Sequence, residues 1–238
     1  MTHTGNDIVS LQAIDRTRTN QLRFYSKILA DSEVTLYEEA GLTMPFEIFV
    51  WLCWSIKESA FKCLQRSRSS LIFSPIRIVV THLALPLGYS EKKFSESSVE
   101  DSGFDDRFAI KGILSYETDT LFSRSLVYDE LIHSVALDQD DFENTGWGIK
   151  KIDQPKPENQ STAVRKFLVD RLESLFPGDK LRIGKSTQGF PVVLEGKEET
   201  GISVSLSHHD RLVAYAFSGG GIVQPGFAYA DRDVRKAL

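Results

Sequence analysis

One stretch, Thr43 to Gln65, leaves little choice of conformation. Pro45 stands in what would be a first helical turn, with Glu47 beside it, and both favour a helix start. From there Phe46, Phe49, Val50, Cys53, Ala60 and Leu64 recur at the spacing of one helical stripe. A helix with so continuous an apolar face must be covered. At about 100° per residue Lys57 falls in the middle of that stripe. An ammonium there is costly to bury unless an anion meets it, or unless its stem carries it out past the core edge. Glu58 lies on the flank of the stripe below Trp54, with Lys62 one turn beyond. That spacing also fits an ordinary surface ion pair.

The rest of the chain supplies strands to cover the helix. Asp7 to Leu11 reads as a short strand, Arg16 to about Ala40 as a helix stopped at Gly41, and Ser74 to Val80 as a strand entered through Pro75. Leu85 to Arg107 is polar and acidic and reads as an excursion or loop. Phe108 to Leu137 holds several β-type segments. Asp138 to Ser161 opens on a polar run, contains Pro155 and Pro157, and reads as a linker. A helix from Thr162 to Phe176 is closed by Pro177-Gly178. Strands follow at Lys180–Ile183, Phe190–Leu194 and Ile202–Leu206, the last pairing with Leu212–Phe217 across a turn near His209–Arg211. Each half carries a helix, then strands, then a histidine-bearing strand (His133 and His208). The expected fold class is α+β: two similar halves, 1–137 and 162–238, joined by a linker at 138–161 and related by a pseudo-two-fold.

Composition narrows the function classes. The 238 residues are 41% hydrophobic and 26% charged, as in a soluble globular protein. A net charge of −5 speaks against a general nucleic-acid binder. Met1 to Gly5 starts no signal peptide, and no apolar run is long enough to span a membrane. Cys53 and Cys63 cannot make a disulfide framework and lack partners for a zinc site, so they read as reduced thiols of a cytoplasmic protein.

Two further segments carry candidate chemistry. In Gly5-Asn6-Asp7-Ile8-Val9, Asp7 alone reads as a cap or turn former. In Ser203–His209, period-two alternation puts Val204, Leu206 and His208 on one face, where a histidine is commonly a core residue.

Together these pieces resemble one family. Gly5-Asn6-Asp7, then Trp54-x-x-Lys57-Glu58-x-x-x-Lys62, then Ser205-Leu206-Ser207-His208 occur in the order of the 4'-phosphopantetheinyl transferases of the holo-acyl-carrier-protein synthase type. Gly189-Phe190-Pro191 is similar to their short Gly-x-Pro element. The length resembles the two-halved surfactin-type enzymes, with both halves in one chain. The motif around Trp54 is fairly specific, the others gain weight from their order, and 81–160 contributes little.

The resemblance implies a Mg²⁺-dependent transfer of the phosphopantetheine arm of coenzyme A to a serine of an acyl carrier protein. Asp7 and Glu58 would hold the metal, which takes few protein carboxylates and keeps waters and substrate phosphates as its other ligands. Glu58, or a water on the metal, would take the seryl proton. Lys62 and Lys57 would meet the phosphates. Gly189, Pro191, Ser207 and His208 would hold coenzyme A, which places the site between the halves. The sequence departs from the pattern at three places. Asn6 stands where an aliphatic is common, Val9 where surfactin-type enzymes place a third acid, and His209 where a small residue is often seen.

Carrier proteins of this class are generally acidic, so a net-negative enzyme needs a local basic surface. Arg16, Arg18, Arg23 and Lys27, with no acid between Asp15 and Asp31, supply one. Two other readings remain. A non-catalytic relative would bind coenzyme A or a carrier protein without transfer. An unrelated metal-dependent phosphohydrolase would need more clustered acids and histidines than this chain offers.

Overall fold

The computed structural model describes residues 2–39, 42–90 and 92–219. Its strands are β1 (Thr4–Ser10), β2 (Val79–Ala84), β3 (Ser98–Ser102), β4 (Ile110–Tyr116), β5 (Asp119–Val127), β6 (Leu131–Leu137), β7 (Thr145–Lys151), β8 (Leu181–Lys185), β9 (Pro191–Glu195), β10 (Glu198–Glu199), β11 (Ile202–His209) and β12 (Leu212–Gly219). The helices are α1 (Arg16–Thr19), α2 (Leu22–Tyr25), α3 (Asp31–Glu39), α4 (Phe46–Leu64) and α5 (Pro157–Leu175). All ladder pairings between strands are antiparallel. The mixed helix and antiparallel-strand architecture agrees with the α+β expectation.

Strand order in the first sheet is β1-β6-β5-β4-β2, and in the second β11-β12-β7-β3; β10-β9-β8 form a small third sheet. Parity along the strands shows how they stack. Val9, Leu114, Leu121, Ile132 and Ala136 share a core with Phe49, Leu52, Cys53, Ile56 and Ala60 of α4. The opposite face of the first sheet (Ile8, Leu131, Val135, Leu137) packs on Trp147, Ile149, Leu212, Ala214 and Ala216 of the second. The far face of the second sheet (Val204, Val213, Tyr215, Phe217) packs on Val164, Phe167, Leu168 and Leu172 of α5. The order of layers is therefore α4, first sheet, second sheet, α5. Each layer is held by apolar residues on alternate strand positions.

Several expectations need correction. The helix expected over 16–40 is broken into α1, α2 and α3. Asp15 caps Arg18 N, Gln21 adopts an extended conformation ahead of α2, and Asp31 starts a fresh first turn. Short polar side chains that bond locally favour caps over helix interiors. The strand expected from Ser74 begins only at Val79, because Pro75–Arg77 form a single 3-10 turn. The excursion at 85–107 contains β3. The segment 138–161 is more than a linker: it holds β7, which pairs with both β3 and β12. Its glycines leave room for the rings of Tyr215 and Phe217, a loss of side chain that hid the strand pattern. Helix α5 begins at Pro157 rather than Thr162, with the proline in its first turn.

Candidate functional site

The approach of β1 to α4 builds the site. Gly5 makes it possible: a Cβ there would overlap the Ser59 carbonyl oxygen and stand 2.6 Å from the Cys63 nitrogen. With no side chain in the way, the β1 backbone lies against the helix, and Asp7, two residues on, faces the same way. The Lys62 ammonium lies 3.2 Å from Asp7 Oδ1 and 3.1 Å from Glu58 Oε1, and donates to the Asn6 carbonyl at 3.0 Å. Asp7 is buried, while Lys62 and Glu58 keep part of their side chains in solvent. Two carboxylates from different elements thus share one ammonium.

The electrostatics leave this arrangement short of positive charge. Burial raises the Asp7 carboxyl to about 7, against the pull of Lys62 and with the push of Glu58. Asp7 Oδ2 is buried without a hydrogen-bond partner. Burial alone would lower Lys62, but Asp7 and Glu58 outweigh it and hold the ammonium above its ordinary value. A buried carboxylate oxygen with nothing to accept from is a place for a further cation. The oxygen donor set suits a hard divalent ion such as Mg²⁺. Among the described residues no group of three or more His, Cys, Asp or Glu is placed to hold a metal ion. Two protein acids are what Asp7 and Glu58 provide. Val9 is core, not surface, so no third acid stands in its place.

The second-sheet motif meets the same strand. β1 is an edge strand, and β11 is the edge of the other sheet. Side chains of β11 take the place of a missing ladder. Thr4 N donates to Ser203 Oγ at 3.0 Å, Asn6 N to Ser205 Oγ at 2.9 Å, and Ser10 N to His209 Nδ1 at 3.1 Å. Asn6 Nδ2 donates to Ser207 Oγ at 2.8 Å and lies 3.4 Å from His133 Nε2. Asn6 therefore touches Lys62 through its carbonyl and Ser207 through its amide, joining the two motif groups. His208 is exposed. Its imidazole is lowered first by partial burial and then by the Lys62 ammonium, with Glu58 opposing.

Two of the residues expected to contact coenzyme A are turned away from solvent. Lys57 is fully buried, and its ammonium lies 2.6 Å from Glu33 Oε2 and 2.6 Å from the Ile28 carbonyl. The anion that the stripe required is Glu33, so Lys57 is not placed to meet a phosphate. The Ser207 hydroxyl is buried and occupied by Asn6, with the Ala214 carbonyl 3.4 Å away. Gly189 occupies a left-handed turn (φ 93°), with open space where its Cβ would be, so the turn and not a close approach calls for glycine. The Pro191 carbonyl accepts from Arg66 at 2.7 Å, and Arg66 also covers the Phe190 ring, 4.5 Å to its centroid.

Arg66 and Glu33 are absent from the sequence reading, which names His133 and His209 without giving either a role at the site. Arg66 carried a signal: Glu58, Lys62 and Arg66 are spaced by four, as neighbours along a helix are, although Arg66 itself lies in the turn just past α4. Burial lowers its guanidinium to about 10. Glu33 carried none, because nothing local tells which carboxylate will meet a lysine 24 residues away.

The expected basic surface is exposed, and Arg18, Arg23 and Lys27 line one open groove of about 480 Å³ with Asp15, Gln21 and Phe24. Arg16 instead turns to Glu47, 3.5 Å away. A separate pocket of about 290 Å³, lined by Pro86, Leu87, Tyr89, Lys92, Phe108 and Leu126 among others, holds none of the expected site residues. Among the described residues no helix is long and apolar enough to cross a membrane.

Comparison with known proteins agrees with the motif reading. Residues 3–107 match the family model described as the 4'-phosphopantetheinyl transferase superfamily. That span takes in β1, α1 to α4, β2 and β3, and with them Asp7, Glu58 and Lys62. Comparisons with curated proteins and with solved structures give no match.

Proposed function

Taking residues 3–107 as a 4'-phosphopantetheinyl transferase superfamily segment, we propose that this chain transfers the 4'-phosphopantetheine arm of coenzyme A to a seryl hydroxyl of an apo acyl or peptidyl carrier protein. The co-product is adenosine 3',5'-bisphosphate. The observation that carries this reading is the buried, unpartnered oxygen of Asp7 in a pair of carboxylates that share Lys62. A single ammonium leaves that pair with room for a divalent cation.

In this reading Asp7 and Glu58 would hold Mg²⁺. Bound there, it would offset negative charge on the pyrophosphate oxygens. The seryl oxygen attacks the phosphorus that bears the pantetheine arm. The bond from that phosphorus to the bridging oxygen breaks, and adenosine 3',5'-bisphosphate leaves with the electron pair. Glu58, which keeps part of its side chain in solvent, would take the seryl proton. Lys62 stays charged above its ordinary pKa and acts as a fixed point charge against the phosphates. His208 faces the nucleotide end, while Ser207 acts through packing. Arg66 steadies the Gly189–Pro191 turn, which also faces coenzyme A. Arg18, Arg23 and Lys27 receive an acidic carrier.

The pseudo-two-fold belongs to the same reading. In it the order β1-β6-β5-β4-β2 with α4 would correspond to β7-β12-β11, the separate β9-β8 ladder and α5. On that correspondence β1 and β7 are equivalent, and the site lies where the two halves meet.

The test is incubation with coenzyme A, Mg²⁺ and an apo carrier protein, read by mass spectrometry for gain of the arm. Asp7→Ala and Glu58→Ala proteins that remain folded should gain nothing. Coenzyme A binding without transfer by the unaltered protein would favour a non-catalytic relative. Hydrolysis of coenzyme A without a carrier would favour a phosphohydrolase. Normal turnover in either variant removes the two-acid site.

A further inference from the structure

Lys57 lies inside the motif that identifies the family, yet its ammonium points into the protein. It and Glu33 are both fully buried. Glu33 uses its whole carboxylate: Oε2 accepts from Lys57 and from Ala30 N at 2.7 Å, and Oε1 accepts from Val80 N at 2.7 Å. Ala30 precedes α3 and Glu33 is its third residue, so the carboxylate also closes the first turn of that helix. Lys57 adds the Ile28 carbonyl. One ion pair therefore ties α4 to β2, to α3 and to the chain just ahead of α3.

That chain leads directly to the basic groove. Arg18, Arg23 and Lys27 stand on or beside two four-residue helices, too short to hold their shape unaided. Polar ties fix this segment to α4 near two places. Near the start of α4, Thr19 Oγ1 accepts from Trp51 Nε1 at 3.0 Å and Asn20 Nδ2 reaches Glu47 at 3.3 Å. Farther along, Ile28 and Ala30 reach the Lys57–Glu33 pair. Lys57 precedes Glu58 directly and Lys62 by five positions.

We propose that the Lys57–Glu33 pair is a positioning device, which fixes the basic groove relative to Glu58 and Lys62 so that a docked carrier delivers its serine to them. This rests on the transferase reading above. A buried ion pair stabilises a fold little compared with well-packed apolar residues of similar volume, but it demands one geometry. Here that geometry joins a docking segment to the helix that carries the site.

The test is the double variant Lys57→Met with Glu33→Gln, which removes both charges and leaves an amide to accept from a backbone N–H. Lys57→Met alone would strand a buried carboxylate, so the double variant is the informative one. In the folded protein, amides of residues 24–33 should exchange about tenfold faster while those of α4 keep their protection. Steady-state transfer to an apo acyl carrier protein should show a carrier KM raised about tenfold, with the KM for coenzyme A unchanged. Unchanged exchange over 24–33, an unchanged carrier KM, or equal rises in both KM values would overturn the proposal. Exchange needs no carrier. A wild-type protein that transfers nothing would therefore sink the transferase reading while exchange still decided the tether.

Discussion

The Asp7 carboxyl gives a signature in stability against pH. Its value of about 7 lies roughly three units above the ordinary 3.8. At about 1.4 kcal/mol per unit, ionising it in the fold costs at most ~4 kcal/mol relative to the unfolded chain. The sign follows from proton counts. Between about pH 4 and pH 7 the folded protein keeps a proton on Asp7 that the unfolded chain has released, so stability falls as pH rises through that window. His133 opposes this. Burial and Lys62 lower its imidazole to about 3 from 6.5, so its contribution is complete above 6.5 and is lost as pH falls toward 3. The two slopes largely cancel in the wild type, and the difference from Asp7→Asn isolates the carboxyl. Urea unfolding of both proteins with a chelator present, across about pH 5 to pH 8, should show the variant gaining about 2–4 kcal/mol on the wild type as pH rises. Millimolar Mg²⁺ should stabilise the wild type near pH 8 and not the variant. Parallel profiles without metal would refute the account of Asp7 as a buried carboxylate short of a partner.

Three other outcomes follow from the geometry. Gly5→Ala drives a methyl into the Ser59 carbonyl and should cost about 1–3 kcal/mol in urea unfolding, with transfer lost beyond what the remaining folded fraction explains. Reversing Arg18 and Arg23 to Glu should raise the carrier KM at low salt and leave that for coenzyme A unchanged; an unchanged carrier KM would move the docking surface elsewhere. Arg66→Ala, which frees the Pro191 carbonyl, should do the converse, raising the KM for coenzyme A and not that for the carrier.

Legibility in the sequence followed the range of the interactions. Helix α4 was readable because its stripe is complete within 19 residues, and the β11–β12 hairpin because its strands are adjacent in the chain. The break at Thr19–Gln21 was missed because a run of charged and polar residues at helical spacing says nothing about whether a core is there to receive it. Strand β7 was missed because Gly146 and Gly148 make room for rings from β12, and a strand whose pattern is completed by another strand's side chains has no period of its own. Asn6 looked like a departure from the family pattern. Its reason lies about two hundred residues away, in Ser207, whose hydroxyl accepts from its amide.

The burial of Lys57 and of Ser207 has a common physical cause. Neighbours on a helix point about 100° apart, enough to part Lys57 from Glu58 here. Glu58 faces Lys62 and solvent, and Lys57 faces Glu33 in the core. Neighbours on a strand point to opposite faces, so of Ser207 and His208 only one can be offered outward; it is His208, while Ser207 is spent on Asn6. A motif of consecutive polar residues on a regular element therefore mixes groups that can touch a ligand with groups that hold the element in place. Parity and helical angle decide which is which, once it is known which face is covered. In this chain the covering is done by Glu33 on one side and by Asn6 on the other. Neither lies within the motif whose residue it occupies.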